Sequence, residues 1–254
     1  MSNTKQPVFE VTKGILPVET IYCPGCTHGI SHRLVMEVLD EMDKLGSTIG
    51  CGSIGCSVLA HRHMNVDMLE SPHGRAPAVA SGVKRVHPDK LVFTYQGDGD
   101  LASIGIAEVI HAAARGEKIT TFFINNAIYG MTGGQMAPTT LVGQKATTCV
   151  DGRTIEQAGA PMRISELISS LDGAVYVERV ALNSPANVNK AKRAVRRAFD
   201  VQEKGLGFSL VEFVSACPTH WGVTPVKALD HLKEKMLPYY PLGVFRSPEE
   251  GGEQ

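Results

Sequence analysis

No stretch of this chain approaches the ~18 consecutive apolar residues of a membrane-spanning helix. Its charges almost cancel, leaving a formal net charge of −1. The first absence excludes a helical membrane span, and the second argues against nucleic acid or an anionic membrane surface as the main partner. The opening residues, MSNTKQPVFEVTKG, lack the basic-then-apolar layout of a secretory leader, so a cytoplasmic location is expected. In that compartment the six cysteines are read as metal ligands or redox groups rather than disulfides. No internal repeat and no linker interrupts the chain. Residues 1–254 are therefore expected to form one domain, with a cysteine-bearing segment near the start, a helix and mobile tail at the end, and an unpatterned arm over residues 1–20.

The most informative stretch spans residues 91–135. LVFTYQ and ITTFFIN are short, β-branched and aromatic runs that suit strands buried in a sheet. Between them Ile104, Ala107, Ile110, Ala113 and Ala114 recur at helical spacing. A strand–helix–strand unit of this kind crosses over right-handed and makes its strands parallel. The expected fold is α/β, a mostly parallel sheet flanked by helices, with ligands beyond the carboxyl ends of the strands. Gly97-Asp98-Gly99-Asp100 stands at one such end and Asn125-Asn126 at the other. Asp and Asn oxygens beside a tight glycine turn suit magnesium, which shares its octahedron with phosphate and water. The following helix offers N–H groups and a positive dipole end to an anion.

GDG, 25 intervening residues and then NN resembles the signature of thiamine-diphosphate enzymes. The resemblance implies the thiamine-diphosphate-binding fold, with magnesium held by Asp98, Asn126 and the carbonyl of Ile128. Gly99, Asp100 and the glycine-rich run Tyr129-Gly130-Met131-Thr132 are the accompanying cofactor-binding candidates; the run suits backbone and hydroxyl contacts to diphosphate oxygens.

Upstream, Cys23-Pro24-Gly25-Cys26-Thr27-His28 precedes a helix with Ile30, Leu34, Val38, Leu39, Met42 and Leu45 on one face, stopped at Gly46. Cys51 and Cys56 follow among glycines. A single CxxC taken alone reads first as half a zinc site, with a redox dithiol or part of an iron–sulfur site as the alternatives. CPGCTHG, SIGCS, HGRAPAVASGVK, GDGD and ACPTHWG together are similar, over roughly residues 20–225, to the β subunit of the 2-oxoacid:ferredoxin oxidoreductases. That resemblance implies a [4Fe–4S] cluster on Cys23, Cys26, Cys56 and Cys217, with Cys51 the rival for the third place. Cys149 matches no block and is expected to be a small, partly buried thiol. His73 and Arg75 of the HGR block are the candidates for touching diphosphate or substrate, and His28 for the cofactor. His61, His63 and His87 are expected to be solvated.

Residues 133–162 lack a period and are rich in Thr, Gly and Pro, which predicts a functional loop covering the cofactor and meeting another chain. MRISELISSL reads as a short helix and AVYVERV as a strand. Ser184-Pro185 begins a helix whose five Lys/Arg between 190 and 197 form a solvated face. GFSLVEFVSAC is a buried strand delivering Cys217, and Thr224-Pro225 starts a last helix through Met236.

The oxidoreductase resemblance implies thiamine-dependent oxidative decarboxylation of a 2-oxoacid, with coenzyme A as acyl acceptor and ferredoxin as electron acceptor. It leans to 2-oxoglutarate or a branched-chain substrate. Pyruvate or an aryl 2-oxoacid, or a non-oxidative decarboxylase or synthase, are the alternatives. Glu108 is poorly placed to serve the cofactor's pyrimidine ring, so an α-type partner is expected to complete the site. No second cysteine group has ferredoxin spacing, so further clusters belong to γ- and δ-type subunits.

Overall fold

A computed structural model describes residues 10–248. The beginning of the expected arm and the end of the expected tail lie outside the described residues. In chain order the elements are α1 (His28–Glu41), β1 (Thr48–Ser53), β2 (Asp67–Ser71), α2 (Ala76–Val86), β3 (Leu91–Gly97), α3 (Ile106–Ala114), β4 (Thr120–Asn125), α4 (Ile155–Ala158), α5 (Ile164–Ser169), β5 (Ala174–Ala181), α6 (Pro185–Glu203), β6 (Phe208–Val214), α7 (Pro218–Trp221), α8 (Pro225–His231), α9 (Leu237–Tyr239) and β7 (Gly243–Arg246). The strands form one sheet in the order β2-β1-β3-β4-β6-β5-β7. All neighbours run parallel except β7, which is antiparallel to β5.

Both faces of the central strands are covered, as near-continuous apolar runs require. Phe93, Tyr95, Phe122, Ile124 and Phe213 pack against α1 and α6 through Leu34, Val38, Val195 and Phe199. Val92, Phe123 and Leu210 face α2, α3 and α5 through Ala80, Val109, Ala112 and Ile168. Gln202 of α6 grips β3, accepting from the N–H of Val92 at 2.6 Å and donating to its carbonyl at 2.9 Å.

Four expectations change. The face predicted for α3 is rotated: Ile104 is 50% exposed and Ala107 and Ala114 face solvent, while Val109, Ala112 and Ala113 are buried. A π-helical turn, Asp100–Ile104, precedes α3, and its wider turn shifts the phase of everything after it. Helix α1 ends at Glu41, before Asp43 adopts a left-handed φ of 55°, so Gly46 is not its stop. The glycine-rich stretch around Cys51 is a strand, β1, and the edge strands β2 and β7 carry no recognisable run. The final helix continues past Met236 to Tyr239 through a second π turn.

Because β1, β3, β4 and β6 are parallel neighbours, their carboxyl ends lie along one edge of the sheet. The segments leaving that edge carry Cys56, Asp98, Asn126 and Cys217 respectively. Thr27 brings the CxxC segment to the same edge: its hydroxyl bonds to that of Ser215 and accepts from the N–H of Ala216 at 3.0 Å, just beyond β6.

Candidate functional site

Asp98 is buried at the end of β3, only 2% exposed. Its carboxylate accepts from the Gly99 N–H at 2.8 Å and the Thr139 hydroxyl at 2.7 Å. The N–H groups of Ala127 and Ile128 also point to it, so the loop after β4 wraps the carboxylate. Burial pushes the Asp98 carboxyl up to about 6, against the pull of these donors. Asn126 turns its side-chain oxygen toward the same loop, 3.2 Å from the Ile128 N–H, and Trp221 Nε1 fixes the Asn126 carbonyl at 3.1 Å. A buried carboxylate with lone pairs to spare, an amide oxygen and a backbone carbonyl form a hard, all-oxygen donor set that fits magnesium.

Asp98, Gly99, Asp100, Asn126, Ile128, Tyr129, Gly130, Met131, Thr132, His28, His73 and Cys56 all line one cavity, with Ser57 and Gly97. A Cβ on Gly99 would collide with the Tyr129 ring, so only glycine lets that ring close over the turn. Asp100 is a strut: it accepts from Ser53 Oγ at 2.8 Å, Gly74 N at 2.6 Å, Gln96 Nε2 at 2.6 Å and from His73. His73 thus sits at the cavity wall, its Nδ1 engaged by Asp100. Arg75 does not line the cavity. It pairs with Glu108 on α3, away from the site its sequence block suggested. The Thr132 hydroxyl donates to Gln135 at 2.6 Å, closing the turn between Tyr129 and Gln135 rather than standing free.

All six cysteines are free thiols. Cys23, Cys26, Cys56 and Cys217 gather beside this cavity. Each of Cys26, Cys56 and Cys217 is pushed up, to about 12, 11 and 11, by burial first and further by the neighbouring thiols. A Cβ on Gly130 would lie 3.2 Å from Cys56 Sγ and 3.8 Å from Cys217 Sγ, so these two thiols flank the loop that leaves Ile128. Among the described residues no three His, Cys, Asp or Glu side chains converge as ligands of a single ion would. A [4Fe–4S] cube takes one thiolate at each of its four irons, so its ligands stand further apart than those of one ion. The soft donor set and the missing side chain at Gly130 fit such a group. Cys51 lies within β1 and is fully buried among core side chains, away from the cavity that Cys56 lines. Cys149 is half-buried against Cys217, Ile128 and Trp221.

Sequence reasoning missed several contributors. Thr139 and Thr140 belong to the unpatterned segment expected to cover the cofactor. Thr139 holds Asp98, and Thr140 donates to the Ala127 carbonyl at 2.7 Å. Buried Arg153 ties the segment together through the carbonyls of Ala137, Pro138, Thr140, Ala158, Gly159 and Ala160. Tyr22, just before the CxxC, donates to the Cys56 carbonyl at 2.9 Å and stacks on His28 at 4.8 Å. His63, expected to be solvated, is buried against Tyr22 and His32, whereas His61 and His87 are exposed. His28 is buried and its pKa falls to about 3 through desolvation, leaving the ring neutral.

The family model of the thiamine pyrophosphate enzyme C-terminal TPP binding domain matches residues 49–213, well over half of the chain, from β1 to the end of β6. The chain belongs to the thiamine pyrophosphate enzymes. Within that family it is 46% identical over 239 residues to the ketoisovalerate oxidoreductase subunit VorA of Methanothermobacter thermautotrophicus, covering 94% of this chain and 50% of VorA. The chain therefore spans about half the length of that relative. It is 39% identical over 223 residues to the 2-oxoglutarate synthase subunit KorB of Methanocaldococcus jannaschii, covering 85% of this chain and 78% of KorB. Similarity of this extent places this thiamine pyrophosphate enzyme with the subunits of 2-oxoacid oxidoreductases. A solved 2-oxoglutarate:ferredoxin oxidoreductase from Magnetococcus marinus superposes with a TM-score of 0.75 at 24% identity, covering 98% of this chain and 88% of the other, and shares the fold. Among the described residues no helix is long and apolar enough to cross a membrane.

Proposed function

We propose that this chain is the thiamine-diphosphate-binding β subunit of a multi-subunit 2-oxoacid:ferredoxin oxidoreductase. It would convert a 2-oxoacid and coenzyme A to acyl-CoA and CO2. The observation that carries the reading is the adjacency of two donor sets of opposite character. The loop after β4 carries Asn126 and Ile128 against Asp98, and two residues on, at Gly130, it passes between the thiols of Cys56 and Cys217.

In this reading Asp98, Asn126 and the Ile128 carbonyl hold magnesium and, through it, the diphosphate. Cys23, Cys26, Cys56 and Cys217 hold a [4Fe–4S] cluster. Bound there, thiamine diphosphate supplies a carbanion for attack on the 2-oxoacid carbonyl and an electron sink when CO2 departs. The cluster, when bound, accepts electrons singly and suits release to ferredoxin. Thr139 and Gly99 orient the Asp98 carboxylate, Tyr129 shields the turn, and Tyr22 steadies the backbone at Cys56. His73 and His28 line the space beside the cofactor. Arg75, paired with Glu108, is left out of the reacting groups.

The cavity holds only about 80 Å³, too little to enclose the cofactor. No glutamate lines it among the described residues. Both features favour an active site completed by an α-type partner, with γ- and ferredoxin-like δ-type subunits carrying electrons onward. The higher identity to VorA than to KorB favours a branched-chain 2-oxoacid over 2-oxoglutarate. The test is viologen reduction by the chain reconstituted with its α-type partner, across a panel of 2-oxoacids with coenzyme A. The complex should prefer ketoisovalerate and the chain alone should be inactive. Full activity of the chain alone would contradict the half-site. Decarboxylation without viologen reduction would favour the non-oxidative alternative.

A further inference from the structure

Hydrogen counting fixes which way the Asn125 side-chain amide points. The N–H of Ala127 can only donate, and it meets Asn125 Oδ1 at 3.3 Å. The amide oxygen therefore faces the loop after β4. The amide nitrogen faces the other way, 2.7 Å from Glu212 Oε1. The second oxygen of Glu212 is taken by Ser165 Oγ at 2.5 Å and Arg179 Nε at 2.8 Å. The other Asn125 amide hydrogen reaches Tyr240 Oη. Tyr240 gives its own hydrogen to the carbonyl of Thr139 at 2.6 Å, so toward Asn125 it can only accept. Asn125, Glu212 and Tyr240 are all buried, and solvent does not compete for these bonds.

Both arms of this network end on Asp98. Through Asn125 Oδ1 it restrains Ala127, which is not glycine yet adopts a left-handed φ of 58°. A residue keeps such a backbone only where its surroundings hold it there. The Ala127 carbonyl is held as well, by Thr140 Oγ1 at 2.7 Å and Gln144 Nε2 at 3.0 Å. The bend turns the N–H groups of Ala127 and Ile128 toward the Asp98 carboxylate. Through Tyr240 the network fixes Thr139, whose hydroxyl reaches Asp98 at 2.7 Å from a separate segment. Asn125, Glu212 and Tyr240 do not line the cavity themselves, so they act on it through these neighbours.

We propose that Asn125, Glu212 and Tyr240 are positioning residues that hold Asp98, Asn126 and the Ile128 carbonyl at the spacing magnesium requires, and so set the preference of the site for magnesium over calcium. The proposal rests on the function proposed above, which puts magnesium on those three donors. Magnesium demands short, near-octahedral bonds, whereas calcium accepts longer bonds and looser geometry. A slackened loop therefore loses the smaller ion first. Within the Asn125-Asn126 pair, the second residue supplies an oxygen and the first fixes where that oxygen stands.

The test is calorimetric titration of magnesium and, separately, calcium into the full chain with its α-type partner and thiamine diphosphate present. Tyr240→Phe, Asn125→Asp and Glu212→Gln should each weaken magnesium binding by about 10–100-fold. Calcium binding should weaken distinctly less, so the ratio of magnesium to calcium affinity falls. Asn125→Asp sets carboxyl oxygens against Glu212, and Glu212→Gln leaves an amide N–H facing either Asn125 or Arg179. Combining those two substitutions exchanges donor for acceptor and should recover most of the lost magnesium affinity. Should Asn125→Asp or Glu212→Gln fail to fold, Tyr240→Phe carries the test through its ratio. An unchanged ratio in Tyr240→Phe, or a folded double variant no better than either single one, overturns the inference while leaving the proposed function standing. No magnesium-dependent binding of thiamine diphosphate by the wild-type complex overturns the proposed function, and the inference with it.

Discussion

At the scale of the residue, the oxygen site is built by side chains whose neighbours decide their chemistry. Thr139 reaches Asp98 from 41 residues away, and an outer contact of this kind commonly carries about 10–100-fold of metal affinity. Thr139→Val should weaken magnesium-dependent thiamine diphosphate binding by about that factor, measured by calorimetry, with little change in thermal stability. Asp98→Asn should behave differently. It removes the charge that a hard cation needs, yet it also removes a carboxylate that burial disfavours. Magnesium-dependent binding should be lost while the metal-free protein unfolds no earlier than wild type in a thermal scan. The two glycines separate the sites. Gly99→Ala drives a methyl into the Tyr129 ring and should abolish cofactor binding first. Gly130→Ala crowds Cys56 and Cys217 and should reduce iron retention first.

At the scale of the element, the buried network around Arg179 ties β5, β6 and α5 together. Arg179 donates to Glu212 at 2.8 Å and to Glu166 at 2.5 Å, and its side chain is fully buried. Arg179→Met would strand the buried Glu212 carboxylate and should cost about 3–5 kcal/mol in chemical denaturation. Burial alone would raise the Glu166 carboxyl, but hydrogen bonds and charge from Arg179 win and hold it below its ordinary 4.5. A carboxyl depressed in the fold stabilises above its unfolded value and loses that contribution as pH falls through the folded one. Wild type should therefore lose stability below pH 4.5 more steeply than Glu166→Gln, as read by acid unfolding.

The same scale explains what was legible. β3, β4 and β6 announce themselves because both faces are buried, so apolar residues run on without alternation. β2 and β7 are edge strands with exposed positions and no such run. Ser184 and Thr224 cap α6 and α8 as their sequence suggested, accepting from Asn187 and Lys227. The face of α3 could not be read because a π turn has no marker in residue type. The placing of Asp98 and Asn126 at strand ends was readable since parallel strands force their ends to one edge, whereas Cys56 was singled out only through the family resemblance. Thr139 and Tyr22 were not readable, because their contacts span 41 and 34 positions and leave no local period.

At the scale of the whole molecule, one sheet edge gathers a cysteine-bearing segment and the ends of four strands into a continuous wall around a small cavity. The central claim is that this wall carries a cluster next to the cofactor loop. It is tested most directly by electron paramagnetic resonance of the anaerobically purified, dithionite-reduced chain. The expected result is a [4Fe–4S] signal that persists in Cys51→Ser and disappears in Cys56→Ser. A colourless, silent protein containing zinc, or a signal lost with Cys51 and kept without Cys56, would contradict it.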